Sequence, residues 1–339
     1  MSDDEQAPAT LETVAARAGV SRATVSRVVN GSVKVSPEIR ARVQAAMREL
    51  RYVPNGPART LAARRSDTVA IVVCEPDSRV FYDPFIAEVV GGARAELARN
   101  DLYPVVLLAA DAAEQERCAR YLTGAHLAGV VILSPHASHP LPGLLQRNGV
   151  PTVLSGRPSD PAVELSYVDI SNKQSAARAV HWLRERGRTR IGVVAGPQDM
   201  SAAQDRLAGY RSALGTDYRG SLVSIGDYTQ RGGRRATAAL LEREPDLDAV
   251  FATSDQMALG ALRAVRDAGR RAPDDVAVVG FDDIRDISGD GGPALTTVHQ
   301  PSADMGRELV RLLLTGHGRR PASTDPVIFP TRLVVRESA

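Results

Sequence analysis

Two rhythms of apolar residues divide this chain. Up to Leu50 they recur at three- and four-residue steps, the period of a helix face; from Asp67 on, unbroken apolar runs alternate with amphipathic stretches. In "TLETVAARAG" Leu11, Val14, Ala15 and Ala18 fall on one face, Thr10 can cap the start, and Gly19 can end the helix in a left-handed turn. A second helix follows in "GVSRATVSRVVNG", with Ser21 as its cap and Val20 placed to staple onto Val25. Val25, Val28 and Val29 share one side of it, and Arg22, Ala23, Ser26, Arg27 and Asn30 the other. "SPEIR" opens a third helix, capped by Ser36 with Pro37 in its first turn, which turns Ile39, Val43, Met47 and Leu50 toward the same core.

Beyond Asp67, "TVAIVV" precedes "FIAEVVGGARAELARN", "YPVVLLA" precedes "EQERCARYL", "GVVIL" precedes "LPGLLQRN", and "PTVLS" closes a first half. A second series runs through "QSAARAVHWLRERG", "RIGVVAG", "DRLAGYRSAL", "RGGRRATAALLERE", "AVFAT", "MALGALRAVRDAG" and "VAVVGFDD". Repeated strand–helix units predict an α/β region of two parallel sheets covered by helices. Ligands meet such sheets at the carboxyl ends of the strands, so two facing sheets make a cleft between lobes.

Composition narrows the class of protein. The 339 residues, 43% of them hydrophobic, can bury a large core and predict two or three domains. Cys74 and Cys118 are the two cysteines, and no Cys/His spacing suits zinc, which fits a reducing cytoplasm without a disulfide framework. The acidic start "MSDDEQAPAT" and the short apolar runs predict a chain neither exported nor membrane-embedded. Net charge is only +2, but it is unevenly spread: from Thr10 to Ser66 there are 11 basic against 3 acidic residues, the footprint of a polyanion partner.

Three short helices with a tight turn between the first two make a helix-turn-helix, whose second helix can enter a DNA major groove. A plain three-helix bundle would share the valine spacing, but it would not need so small and hydrogen-bonding an outer face. The segment "YVPNGPARTLAARRS" that follows combines Pro and Gly with room for a helix of about eight residues, too short to be stable alone. It reads either as a flexible linker or as a helix ordered by a second copy on DNA.

The stretch "TLETVAARAGVSRATVSRVVNGSVKVSPEIRARVQAAMRELRYVPNGPARTLA" resembles the headpiece and hinge of the lactose-repressor (LacI/GalR) family, and the likeness continues over nearly the whole chain. The resemblance implies base readout by Arg22 and Ala23, a further base or phosphate contact by Arg27, and backbone anchoring by Ser21, Thr24, Ser26 and Asn30. Thr10, Asn55 and Arg59 complete the DNA-facing set. Leu61 would wedge open a minor-groove base step, with Ala58 permitting close approach. Two such wedges in a homodimer predict a pseudo-palindromic operator centred on an easily unstacked CG step.

The second region resembles the periplasmic sugar-binding-protein fold that these regulators use as an effector core. At its strand ends "GFDD" places Asp282, "FATSD" places Ser254 and Asp255, and Arg206 lies at the start of a helix. A carboxylate and a guanidinium facing one cavity can hold vicinal hydroxyls, while Tyr228 or Phe85 could cover a sugar ring. The resemblance implies effector contacts at Asp83, Phe85, Arg157, Arg206, Tyr228, Asp282 and Gln300. Two departures stand out: Ser254 where the family often has Asn, and Gly156 where it often has Asp before the arginine.

No GxGxxG or GxxxxGK[ST] cradle, G-x-S-x-G elbow or metal-spaced histidine pair occurs, so the expectation is no enzyme, cofactor or metal. The expected protein is a repressor of carbohydrate-utilisation genes that a sugar inducer releases from double-stranded DNA. The alternative is a regulator that needs a non-sugar metabolite as corepressor. No heptad segment follows "RLVVRES", which favours a dimer over a tetramer. Expected limits are a headpiece over 1–53, a hinge over 54–66 and an effector core over 67–339. Its lobes would take 67–168 with 299–328, and 169–298 with 329–339, crossing near Asp169, Val298 and Phe329.

Overall fold

A computed structural model of the chain describes residues 9–29, 34–52, 66–284, 292–316 and 326–339. Two compact units divide at the Asp67/Thr68 bond.

The first unit contains α1 (Leu11–Ala18), α2 (Arg22–Val29) and α3 (Pro37–Glu49). Thr10 closes a capping box with Thr13, and Gly19 takes φ 63°, a left-handed stop that a Cβ would strain. The Ser21 hydroxyl accepts from the Thr24 amide at 3.2 Å, and the Ser36 hydroxyl from Ile39 at 3.4 Å. Val14, Ala15, Ala18, Val25, Val28, Val43 and Ala46 form the core, with Val20, Val29, Ile39, Met47 and Leu50 packed around it. Arg42 donates to the carbonyls of Ala18 at 2.7 Å and Gly19 at 3.4 Å, which ties α3 to the turn between α1 and α2.

The second unit holds two six-stranded sheets. The first runs in the order β11 (Val327–Phe329), β5 (Ser166–Ile170), β4 (Thr152–Ser155), β3 (Gly129–Leu133), β1 (Thr68–Val73), β2 (Tyr103–Leu108), with every neighbour parallel. The other runs β12 (Arg332–Val334), β10 (Thr296–His299), β9 (Ala277–Asp282), β8 (Ala249–Ala252), β6 (Ile191–Ala195), β7 (Val223–Ile225), parallel except for β12 against β10. The chain leaves the first sheet after Ile170, returns after His299, and passes once more to the second between Phe329 and Arg332.

Central strands such as Val69–Val73 and Gly129–Leu133 are buried throughout, as runs covered on both faces must be. The first half does not close at "PTVLS": β5, in "SYVDI", adds a strand whose alternating polar residues hid it among loop signals. Glycine lets two helices meet at backbone distance. A Cβ on Gly92 of α5 (Pro84–Arg99) would lie 2.0 Å from the Ala303 carbonyl, and one on Gly306 of α12 (Ser302–Thr315) 2.0 Å from that of Val89. No helix among the described residues is long and apolar enough to cross a membrane.

Candidate functional site

On α2 the side opposite the valines carries Arg22, Ala23 and Arg27 exposed, with Thr24 and Ser26 half-buried. Arg22 pairs with Glu12 at 2.9 Å, and both side chains are mostly in solvent. A surface pair of this kind is worth about 0–1 kcal/mol, so little holds the guanidinium back from another anion. Asn30, Asn55, Ala58, Arg59 and Leu61 lie outside the described residues, whereas Thr10 is engaged in capping α1.

In the second unit a cavity gathers side chains from both sheets. Seven of the eight residues expected there line it: Asp83, Phe85, Arg206, Tyr228, Ser254, Asp282 and Gln300. All but Arg206 sit at the end of an element. Asp83 caps α5 and Ser254 caps α11 (Asp255–Asp267), while Asp282 ends β9. Arg206 lies in the second turn of α9 (Ser201–Leu214) and not at its start as expected, because the helix begins earlier, at Ser201; Tyr228 precedes α10 (Gln230–Arg243). Tyr228 at φ 61° and Asp282 at φ 128° adopt backbone that L-residues avoid, strain of the sort that persists where surroundings impose it.

Arg206 is locked in place. Its Nε donates to Asn172 Oδ1 at 2.8 Å, its Nη1 donates to the Thr253 carbonyl at 2.7 Å, and its guanidinium stacks 3.7 Å over the Phe281 ring. Asn172 in turn donates to Asp169 Oδ1 at 2.8 Å, so the arginine is tied to the end of a strand in the opposite sheet. Asp282 lies 3.7 Å from Arg206 and accepts from Gln300 Nε2 at 2.6 Å and from the Asp255 amide at 3.4 Å. Burial pushes the Asp282 carboxyl well above the usual carboxylate range; Arg206 opposes this without cancelling it, and Asp255 adds to it. Burial likewise raises Asp83 and Asp169. The arrangement can accept from and donate to adjacent hydroxyls while Phe85, Met200 and Met305 cover an apolar face.

Arg157 departs from expectation. Gly156 lines the cavity, but the Arg157 side chain turns to Asp205, at 3.1 Å to each carboxylate oxygen, and only its backbone serves the site region, its carbonyl accepting from Ser201 at 2.7 Å. Arg79 and Asp169 were not foreseen. Arg79, on the short helix α4 (Asp77–Val80), is buried between Glu75 and Asp83 and stands 4.6 Å over the Tyr228 ring. The spacing of Glu75, Arg79 and Asp83, each four residues from the next, is a helical ion-pair signal inside what reads as a loop. Asp169 ends a strand like Asp282 and satisfied the same criterion once that strand is recognised. Met200, Met305 and Ser134 carry no such signal.

A histidine spans the two lobes near the cavity. His136, after β3, places Nε2 3.3 Å from Glu75 and Nδ1 2.8 Å from Asp199, which follows β6. No cluster of His, Cys, Asp and Glu that could hold a metal occurs among the described residues.

Residues 10–55 match the family model of bacterial regulatory proteins of the lacI family, and residues 180–339 match a periplasmic binding protein-like domain. The HTH-type transcriptional regulator CelR of Thermobifida fusca is 48% identical over 97% of this chain and 98% of its own length. The HTH-type transcriptional repressor CytR of Escherichia coli (strain K12) is 33% identical over 98% and 97%. Among solved structures, a CelR–cellobiose complex superposes with a TM-score of 0.76 at 46% identity, covering 98% of this chain and all of that one. A lac repressor dimer bound to operator and the anti-inducer ONPF superposes at 0.84 with 28% identity, over 98% and 99%.

Proposed function

The chain belongs to the lacI family of bacterial regulatory proteins, and from that premise we propose that it is a cytoplasmic, dimeric transcription factor, not an enzyme, that represses carbohydrate-utilisation genes until a sugar releases it from its operator. The observation that carries this reading is the buried pair Arg206 and Asp282 facing one cavity between two sheets, on the same chain as a helix that offers arginines and hydroxyls to solvent. Sugars present adjacent hydroxyls and an apolar ring face, which match this mixture of paired polar groups with Phe85 and methionine. The likeness to a regulator solved with cellobiose makes that disaccharide the first effector to try.

In this reading residues 1–53 form the DNA-binding headpiece, 54–66 the hinge, and 67–339 the effector core. Arg22 and Ala23 read bases, and Ser21, Thr24 and Ser26 anchor the backbone. Dimerisation is supported by the apolar surface at the edge strand β2, where Tyr103 and Val106 are exposed, with Tyr121 exposed nearby in sequence on α6 (Ala112–Gly124). Sugar binding between the lobes would alter their relation, and with it the geometry two hinges present to DNA, provided the ligand prefers one state.

Selection of bound duplexes from a random DNA pool by the full chain, with and without cellobiose, tests the proposal. Enrichment of a pseudo-palindrome with a central CG step, lost when the sugar is present, is the expected result. Arg22→Ala should relax preference at one half-site position at a cost of about 1–3 kcal/mol. Enrichment that requires the small molecule would reverse the logic to corepression, and unspecific, purely salt-sensitive binding would overturn the proposal.

A further inference from the structure

Arg157 is drawn out of the effector cavity by the opposite lobe. It follows β4 of the first sheet, and Gly156 before it takes φ 94°, backbone that residues with a side chain rarely adopt, so the chain turns sharply there. Beyond the turn, the Arg157 amide donates to Asp169 Oδ2 at 3.3 Å within the first lobe. Its other two groups cross the cleft: the carbonyl accepts from the Ser201 hydroxyl at 2.7 Å, and Nη2 donates to both Asp205 carboxylate oxygens at 3.1 Å. Ser201 and Asp205 lie four residues apart on α9, behind β6 of the second sheet, so they share one helix face and reach the same residue. Resting on the sugar reading above, we propose that Arg157 and Asp205 are positioning residues. Their pair latches α9 to the first lobe before any sugar arrives, and so sets the sugar concentration at which the regulator responds.

Arg206 is the group this latch positions. It follows Asp205 directly, about 100° further round the helix, and faces the cavity beside Asp282. Through Asn172 it also reaches Asp169, at the end of β5 in the first sheet. The helix therefore meets the first lobe on two sides, at Arg157 through Asp205 and at Asp169 through Arg206. A further bond lies just ahead of α9, where the Ala137 amide, after β3, donates to the Asp199 carbonyl, after β6, at 2.7 Å.

The bonds from Arg157 to Ser201 and Asp205, and from Ala137 to Asp199, all join one lobe to the other. They exist only while the lobes are together, and no sugar takes part in them. Apparent affinity scales with the fraction of chains in the binding-competent arrangement, so such contacts raise it without touching the ligand. The Arg157 and Asp205 side chains are 44% and 32% exposed, which limits the pair to a modest bias on closure.

Hydrogen exchange of the sugar-free full chain, read by mass spectrometry, tests the latch without a ligand, and cellobiose calorimetry tests its consequence. In Asp205→Asn, Arg157→Gln and the double variant the Ala137 amide should exchange roughly two- to fivefold faster, by the same factor in all three, because each removes one shared pair. Arg157→Lys, which keeps the charge, should stay close to the unaltered chain. Amides of the central strands β1 and β8 should not change, which separates parting of the lobes from loss of the fold. Cellobiose should bind more weakly by that same factor in the three variants. Exchange at Ala137 unaffected by Asp205→Asn, or losses that add in the double variant, overturns the latch. Weaker cellobiose binding in Arg157→Gln alone, with Asp205→Asn like the unaltered chain, returns Arg157 to the sugar's contacts and equally overturns it. An unaltered chain that binds no cellobiose, with exchange behaving as expected, overturns cellobiose as the effector and supports the latch.

Discussion

Asp282 shows how one residue can be costly to the fold and useful to the site. Its carboxyl is buried, on left-handed backbone, beside a second buried carboxylate at Asp255. The folded-state value lies above the unfolded one, so the folded chain holds the proton longer. Stability therefore falls as pH rises from the ordinary carboxylate range through the raised value, and stays reduced at neutral pH. Asp282→Asn should accordingly leave the ligand-free core as stable or more stable at about pH 8, by up to about 1 kcal/mol or a few degrees in thermal midpoint, with the advantage shrinking toward about pH 5. It should also abolish the response to ligand. Melts at the two pH values check the first claim; a variant less stable at both would mean that Asp282 is held mainly for the fold. At this scale strand-end carboxylates were legible because position alone marks them. Arg157 was not, because a long side chain at a strand end can turn either way, and here Asp205 takes it.

Among elements, the two sheets are joined near the cleft by a titratable bridge. His136 faces Glu75 on its own lobe and Asp199 on the other, with His139 beside it and Arg79 behind Glu75. Burial works against the charged imidazole, yet the hydrogen bonds and charges of Glu75 and Asp199 outweigh it and raise His136 above its ordinary value. The bridge is thus fully present below about pH 6.5 and lost as pH rises through the raised value. Effector affinity measured by calorimetry should fall as pH goes from about 6 to about 8, and His136→Gln should flatten that dependence; a profile that survives the substitution unchanged would assign it elsewhere. The glycine contact between α5 and α12 is a second element-level test. Gly306→Ala should destabilise the core by about 1–3 kcal/mol in denaturant unfolding, because the obstructing atom is the Val89 carbonyl and not a movable side chain. The helices and central strands were readable from periodicity, whereas β5, β7 and α4 were not. They are short, and their burial comes from neighbours distant in sequence rather than from their own pattern.

For the whole molecule, charge asymmetry and the change of rhythm near Asp67 separated a DNA-facing part from a ligand-facing part, and the division of the chain into two units falls at that bond. Pairing of sheets across three chain crossings could not be deduced from the residues themselves, since it depends on which strands meet; it came with the family resemblance. The account's central claim is that occupancy of the Arg206–Asp282 cavity weakens operator binding. Titrating cellobiose into the full chain bound to a fluorescently labelled selected operator duplex, and following anisotropy, tests it most directly. The predicted result is a saturable loss of operator affinity of roughly 5- to 150-fold, absent in Asp282→Asn, which should still bind the sugar-free operator normally. Operator affinity unchanged at sugar concentrations that calorimetry shows to saturate the cavity would contradict the claim.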